Sequence, residues 1–543
     1  PRRDAAARTA RITHGGTHRM TGLVTSPHRL ASAAGADALR AGGSAVDAAI
    51  AASAALCVLY PHMTSIGGDA FWLIHEGASG AVRYLGGGGQ AAASATPEWF
   101  HARGHAEIPL KGILPATLTV PGAVASWAQA HARYGRLPLA RCLEQAIGYA
   151  REGAPVSAKV ARFIEASRAE LAACPEAAAI FLQGGATLVN PGLARSLERI
   201  AQEGRAGFYQ GETAKALVRY AEAHGGFFRM DDFAAQQAQW GEPLAGTYRG
   251  VTLYQTPPPT QGFTVLQMLN LVEPFELHRL PLLGPERAHL LVQAKQIAYH
   301  DRDRHLADPR FAEVPVERLI SKAYADVRRK LIDPRRALAW DEVPSYGSLA
   351  GDTVYVAAID GDGNAVSLIQ SLYGIFGSGV VAGETGILLQ NRGAYFNLDT
   401  AHPNVLRPGK IPLHTLIASI CKRDGRLWSV LGCMGADGQP QIHLQAYTAM
   451  IDHGLDIRQA VEMPRFLSGR FALGEARDTL HIEARFPRAT IDELERRGHQ
   501  LDRWGDWNEL AGHAHGIVVD PRSGVPAGGA DPRSDGAAMM PPA

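Results

Sequence analysis

The segment SYGSLAGD at 345–352 runs directly into TVYVAAID, whose first residue is Thr353. A threonine becomes a nucleophile when it is a chain N-terminus. Its free α-amine, with a pKa near ~8, then takes the proton of its own hydroxyl. No histidine or aspartate is required. A β-favouring threonine that simply opens a strand fits the same spacing, so the surrounding sequence has to decide. Other chemistries find little support. There is no G-x-S-x-G, H-E-x-x-H or G-x-x-x-x-G-K-[ST] motif, and GSGVVAG at 377–383 is misspaced for a dinucleotide loop. The 21 histidines are scattered without metal-ligand spacing. Cys57, Cys142, Cys174, Cys421 and Cys433 form no C-x-x-C pair and read as small buried hydrophobes.

The elements that must hold Thr353 can be traced outward from it. Two β-type runs, 353–360 and 364–371, flank Gly361-Asp362-Gly363, which is good hairpin chemistry. A second hairpin is expected over 70–85, followed by Gly86 to Gly89 as a loop or a close backbone approach. An N-terminal strand, GLVTSP, leads into two Ala-rich helices. Gly42-Gly43 ends the first and Ser44 caps the second. The apolar run AAIAASAALCVLY at 48–60 is shorter than the ~20 residues of a membrane span and reads as a helix buried on all sides. From about 120 to 335 the pattern is mostly helical, with Pro257-Pro258-Pro259 as a surface loop. Beyond it, LWSVLG reads as a strand and 441–454 as a helix. The tail from Val525 is expected to be partly disordered.

Composition narrows the function classes. With 543 residues, 46% apolar and 20% charged, the chain is no disordered polymer. Lys and Arg number 54 against 53 Asp and Glu, which leaves no basic footprint for nucleic acid or an anionic membrane. A small anionic substrate stays open, because one placed arginine suffices. Residues 1–19 read as a polar lead without the apolar core of a secretory signal, and Met20 is a candidate start. A cytoplasmic location is expected, or a periplasmic one if an export signal has been removed.

Several ordered stretches carry a resemblance: AGGSAVDAAIAAS, SIGGDAFW, LTVPGAVASW, FYQGETAKAL, YRGVTLYQTPPPTQG, KQIAYHDRDRHLADPRF, DTVYVAAIDGDGNAV, FGSGVVAGETGILLQN and GADPRSD. Together they resemble the gamma-glutamyltransferase family of self-cleaving N-terminal-nucleophile hydrolases, from about Gly22 to Ser534. The resemblance implies an α+β fold, a four-layer αββα sandwich. It makes 1–352 and 353–543 the two processing units of one core, separated by cleavage at Asp352–Thr353. Thr353 falls on the nucleophile, and Ser371 falls where the family has a threonine that holds it. Gly435 and Ala436 match the glycine pair whose amides form the oxyanion hole. No cofactor or metal is implied.

The departures from the family fall on substrate-holding positions. The family's arginine for the α-carboxylate is missing from 86–90. Its acidic partner for the α-amine is Tyr395 here, its Ser-Ser pair is His414-Thr415, and a neutral amide has become Arg392. This variant set resembles the acylase and oxamate-amidohydrolase branch, which cleaves amides whose acyl half carries a carboxylate and no amine. Arg392 is the expected carboxylate holder. Tyr395 is the expected pocket wall, and Tyr373 and Thr415 are further candidate pocket residues. His414 fits either a hydrogen bond to the acyl group or a purely structural role. The expected function is an amidohydrolase of a small carboxylated amide, acting through an acyl-Thr353 intermediate. Two alternatives remain: a γ-glutamyl hydrolase or transpeptidase with altered contacts, and a non-catalytic member that never matures. Expected partners are the substrate and the two subunits of one precursor, with an oligomer of cut heterodimers left open. No nucleic acid or membrane is expected.

Overall fold

The computed structural model describes residues 22–111, 117–338, 352–469 and 479–541. The lead, Met20 and the loop 345–351 lie outside these residues, and Asp352 is described through its backbone alone. Thirteen strands build two sheets. They are β1 (Leu23–Ser26), β2 (Asp69–His75), β3 (Val82–Gly87), β4 (Gln239–Gly241), β5 (Leu244–Tyr248), β6 (Val251–Gln255), β7 (Asp352–Ile359), β8 (Ala365–Tyr373), β9 (Ser419–Arg423), β10 (Arg426–Cys433), β11 (Ala514–Val519), β12 (Pro526–Ala530) and β13 (Ala537–Met539). One sheet has the order β13-β1-β7-β8-β2-β3-β4 and the other β12-β11-β10-β9-β6-β5. Every pairing in both is antiparallel.

Side-chain alternation explains why β7 is apolar along its whole length. Val354, Val356 and Ala358 join a cluster with the helices Arg29–Arg40 and Ala45–Leu59. Tyr355, Ala357 and Ile359 point the other way. They pack with Phe71 and Leu73 of β2 against Ile420, Val430 and Ile517 of the second sheet. A third cluster lies between the second sheet and the helices Phe263–Val272, Pro285–His305 and Gln439–Asp452. Where the sheets meet, a Cβ on Gly432 would sit 2.2 Å from Cε2 of Tyr355, so only glycine admits that ring.

The N-terminal helices form as the sequence suggests. Gly42 has φ 89°, and Ser44 with Asp47 makes a capping box that opens Ala45–Leu59, a helix buried at every position. Three expectations are corrected. The mostly helical stretch also holds β4, β5 and β6: β5 and β6 form a hairpin through Arg249 and Gly250, both at positive φ, while β4 pairs with the distant β3 and β6 with the distant β9. Pro257 and Pro258 are half-buried, but Pro259 is buried and its carbonyl accepts from His414 N at 2.8 Å, so the run enters the interior at its last residue. The described part of the tail is ordered: β12 closes one sheet and β13 pairs with β1 in the other. Between them Arg533, fully buried, donates to Glu483 Oε1 at 2.8 Å and pairs with Asp531 at 3.0 Å. All five cysteines are buried and free, as expected. Among the described residues no helix is long and apolar enough to cross a membrane.

Buried histidines give the fold a pH dependence. Loss of hydration lowers His443 to about 3, His499 to about 3 and His515 to about 4. In an unfolded chain histidine titrates near ~6.5. Below that pH the unfolded chain binds protons that the folded chain refuses. Stability therefore falls with pH until the folded values are reached. At pH 5 each histidine costs about 2 kcal/mol relative to pH 7, from ~1.4 kcal/mol per pH unit. Urea unfolding at pH 7 and pH 5 should show the loss, and His443→Leu should reduce it by one histidine's share. A loss unchanged by that substitution would remove His443 from the account.

Candidate active site

Strand parity assembles the site at one end of the first sheet. Residues 353, 355, 357 and 359 share the face turned toward the second sheet, as do 69, 71 and 73 of β2. Val354 pairs with Gln370 and Asp352 with Tyr373, so Ser371 and Leu372 together oppose Thr353 in a β-bulge. On its other side Ser371 pairs with Asp69. Thr353 and Ser371 are both buried. Ser371 Oγ accepts from Tyr373 N at 2.8 Å and from Arg392 Nη2 at 2.9 Å. Tyr373 closes the bulge at φ 84°, a conformation few bulky residues adopt and one that costs about 1–3 kcal/mol.

Arg392 opens a single 3-10 turn, Arg392–Tyr395, and is 0% exposed. Besides Ser371 it donates through Nη1 to Thr415 Oγ1 at 3.2 Å, while its Nε has no partner among the described residues. Its guanidinium carbon lies 4.9 Å from the Tyr373 ring centre and 5.5 Å from that of Tyr395, and the two rings are 4.2 Å apart. No carboxylate of a described residue forms an ion pair with it. Burial lowers its pKa, opposed in part by the tyrosines, Asp69 and Asp437. Burial also raises Tyr373 to about 12 and lifts Tyr395 well above its ordinary value.

His414, the chain neighbour of Thr415, is held at both ring nitrogens. Its Nδ1 meets the Pro412 carbonyl at 2.8 Å and its Nε2 meets Asp69 Oδ2 at 2.9 Å. Both ring nitrogens are thus engaged within the protein, in line with the structural one of the two roles open to His414. Burial lowers its pKa. Asp69 Oδ1 accepts from Gly122 N and from Gln390 Nε2, each at 3.0 Å. The Gly86–Gly89 run packs against this pair. A Cβ on Gly89 would lie 2.2 Å from Val120 O and 3.0 Å from Asp69 Oδ1, so no arginine fits there.

The second sheet supplies the opposing wall. After Cys433 at the end of β10, the chain turns through Gly435 at φ 145° and Ala436 at φ 45° into a 3-10 turn and the helix Gln439–Asp452. Among the described residues neither the Gly435 nor the Ala436 amide has a protein acceptor. Gln261 Nε2 donates to Ala436 O at 3.2 Å and to Thr415 O at 2.9 Å, joining this turn to the arginine's support.

A model of the gamma-glutamyltranspeptidase family matches residues 31–540. The chain belongs to this family. A curated relative, the glutathione hydrolase-like YwrD proenzyme of Bacillus subtilis, is 43% identical, with 95% of this chain and 98% of the relative covered. The oxamate amidohydrolase proenzyme of Klebsiella pneumoniae is 38% identical over 95% of this chain and 98% of its own. Among solved structures, the cephalosporin acylase from Bacillus halodurans superposes with a TM-score of 0.89 at 36% identity, covering 99% of this chain and 98% of the acylase. As a member of a family of hydrolases, the protein is an enzyme, and its mixed helix-and-sheet fold is that of the acylase. Sequence reasoning named Arg392, Ser371, Tyr373, Tyr395 and Thr415, and the structure brings them together. It missed Asp69, Gln261, Gln390, Arg302 and Asp437. The first four stand inside stretches that carry the resemblance and Asp437 directly follows Ala436, but their bonds cross between distant segments.

Proposed function

We propose that this family member is a self-cleaving N-terminal threonine amidohydrolase whose substrates carry a carboxylate, and no amine, on the acyl half. The observation that carries the reading is Arg392, a fully buried cation with no carboxylate partner among the described residues. A buried charge without an ion-pair partner is only partly compensated by its neighbours, and a substrate carboxylate that accepts two parallel N–H bonds would offset the remaining cost. The four-layer αββα arrangement belongs to this proposal. It is supported by three apolar clusters, one between the sheets and one on the outer face of each.

Maturation in this reading starts with the Thr353 hydroxyl attacking the Asp352 carbonyl. The C–N bond breaks, an ester forms, and the α-amine is freed. Water then hydrolyses the ester to the Asp352 carboxylate and the free hydroxyl. In turnover the α-amine takes the hydroxyl proton as Oγ1 bonds the acyl carbon. That proton leaves with the departing amine, and water releases the acid. The Gly435 and Ala436 amides would hold the oxyanion, each worth about 2.7–4 kcal/mol in the transition state. The relatives named above carry the names of proenzymes, in accord with such a cut.

Turnover of oxamate, a glutaryl amide and γ-glutamyl-p-nitroanilide by the purified protein tests the reading. Hydrolysis of the first or second with little of the third is expected. Preference for the γ-glutamyl compound would sink it in favour of a γ-glutamyl hydrolase. A single uncut band on a denaturing gel would favour a member that never matures.

A further inference from the structure

The large-subunit helix Pro285–His305 ends in a buried polar knot that the chemistry above does not use. Arg302 Nη1 donates to Asp437 Oδ1 and to Gln261 Oε1 at 2.8 Å, and its Nη2 pairs with Asp303 at 2.7 Å. Its guanidinium also lies 4.0 Å from the Tyr299 ring centre, and the Tyr299 hydroxyl donates to the Asp437 carbonyl. Asp437 directly follows Ala436. The arginine thus grips the turn that presents the Gly435 and Ala436 amides at two points. One is direct, through Asp437. The other passes through Gln261, whose Nε2 reaches Ala436 O.

The turn has reason to need gripping. Ala436 sits at φ 45°, where a side-chain-bearing residue is disfavoured, so the backbone would relax to another conformation if left alone. A small rotation there re-aims the amides. Transition-state donors act only at about 2.7–3.1 Å from the developing oxyanion, so small displacements cost much. A buried Arg–carboxylate pair is a poor source of net stability but a good way to fix one geometry.

We propose that Arg302, acting through Asp437 and Gln261, is a positioning residue for the oxyanion turn. The large subunit would then contribute to transition-state stabilisation without touching the substrate. This rests on the proposed role of the Gly435 and Ala436 amides. Gln261 also holds Thr415 O, so the same grip keeps the oxyanion turn in register with the support of Arg392.

Two variants of the matured enzyme test this, Arg302→Gln and Gln261→Met, measured for kcat and KM on oxamate. A merely structural role would lower the amount of folded enzyme and leave the kcat of what remains. A positioning role lowers kcat about 10²-fold with KM within threefold, the signature of an interaction made only in the transition state. Arg302→Lys should restore little, because a point charge cannot hold Asp437 and Gln261 together. If Arg302→Gln does not fold, Gln261→Met decides alone, since it leaves the Arg302–Asp437 pair intact. If the unmodified protein ignores oxamate, the substrate reading fails. The same ratios are then taken on γ-glutamyl-p-nitroanilide, because any acyl transfer to Thr353 needs the same donors. A kcat within twofold of the parent in the folded variants, or a rise confined to KM, overturns the proposal.

Discussion

Thr353→Ala is expected to leave the chain as one full-length band and to abolish turnover of every amide tried. The unmodified protein should yield a smaller fragment whose terminal sequence reads TVYVAAID. The effect is large because the proposed mechanism gives one hydroxyl two jobs, cutting its own chain and attacking the substrate. Removing a nucleophile of this kind costs on the order of 10⁴-fold or more. The placement of Thr353 supports the expectation. It is buried at the start of β7, opposite the bulge formed by Ser371 and Leu372. Cleavage at Asp352–Thr353 that persists in the alanine variant would show that another group is the nucleophile.

Arg392→Ala should lower kcat/KM for a carboxylated amide by about 2–5 kcal/mol in transition-state terms, while self-cleavage continues. Self-cleavage needs no bound substrate, so the two readouts separate recognition from chemistry. Arg392→Lys should recover little. The guanidinium reaches Ser371 and Thr415 with two different nitrogens, and an ammonium cannot copy that fork. Efficient turnover of γ-glutamyl substrates that is indifferent to Arg392→Ala would remove the arginine from substrate recognition.

How legible the molecule was depended on the range of the interactions. The hairpin around Gly361-Asp362-Gly363 and the capped helix after Ser44 are local, so turn and capping chemistry revealed both. Strand β4 is fixed by the distant β3 and β6 by the distant β9, whereas β5 pairs only with β6 across the tight Arg249-Gly250 turn, a local signal that the helical reading of 120–335 passed over. The tail was misread for a related reason. Pro, Gly and Ala are poor in local preference, yet β12 and β13 are fixed by β11 and β1. In the site, Arg392 was readable because a cation stands where a neutral residue is usual. The engagement of His414 with Asp69 was not, since 345 residues separate them. Nor was the reach of Arg302 to Asp437, across 135 positions.

The order β13-β1-β7-β8-β2 has a consequence for the enzyme under the proposed cut at Asp352–Thr353. Strand β1, from before the cut, lies between β13 and β7, both from after it. The pair β7 and β8 in turn lies between β1 and β2. The two fragments therefore alternate along one sheet, and parting them means opening three ladders at once, with the β6–β9 ladder of the other sheet as a fourth. Specific activity of the matured enzyme should not change with dilution, even to concentrations at which ordinary heterodimers fall apart. Fragments synthesised separately should fail to reconstitute when mixed, because apart from each other β1 and β13 have no partner at all and β2, β6, β7, β8 and β9 each lose one of their two.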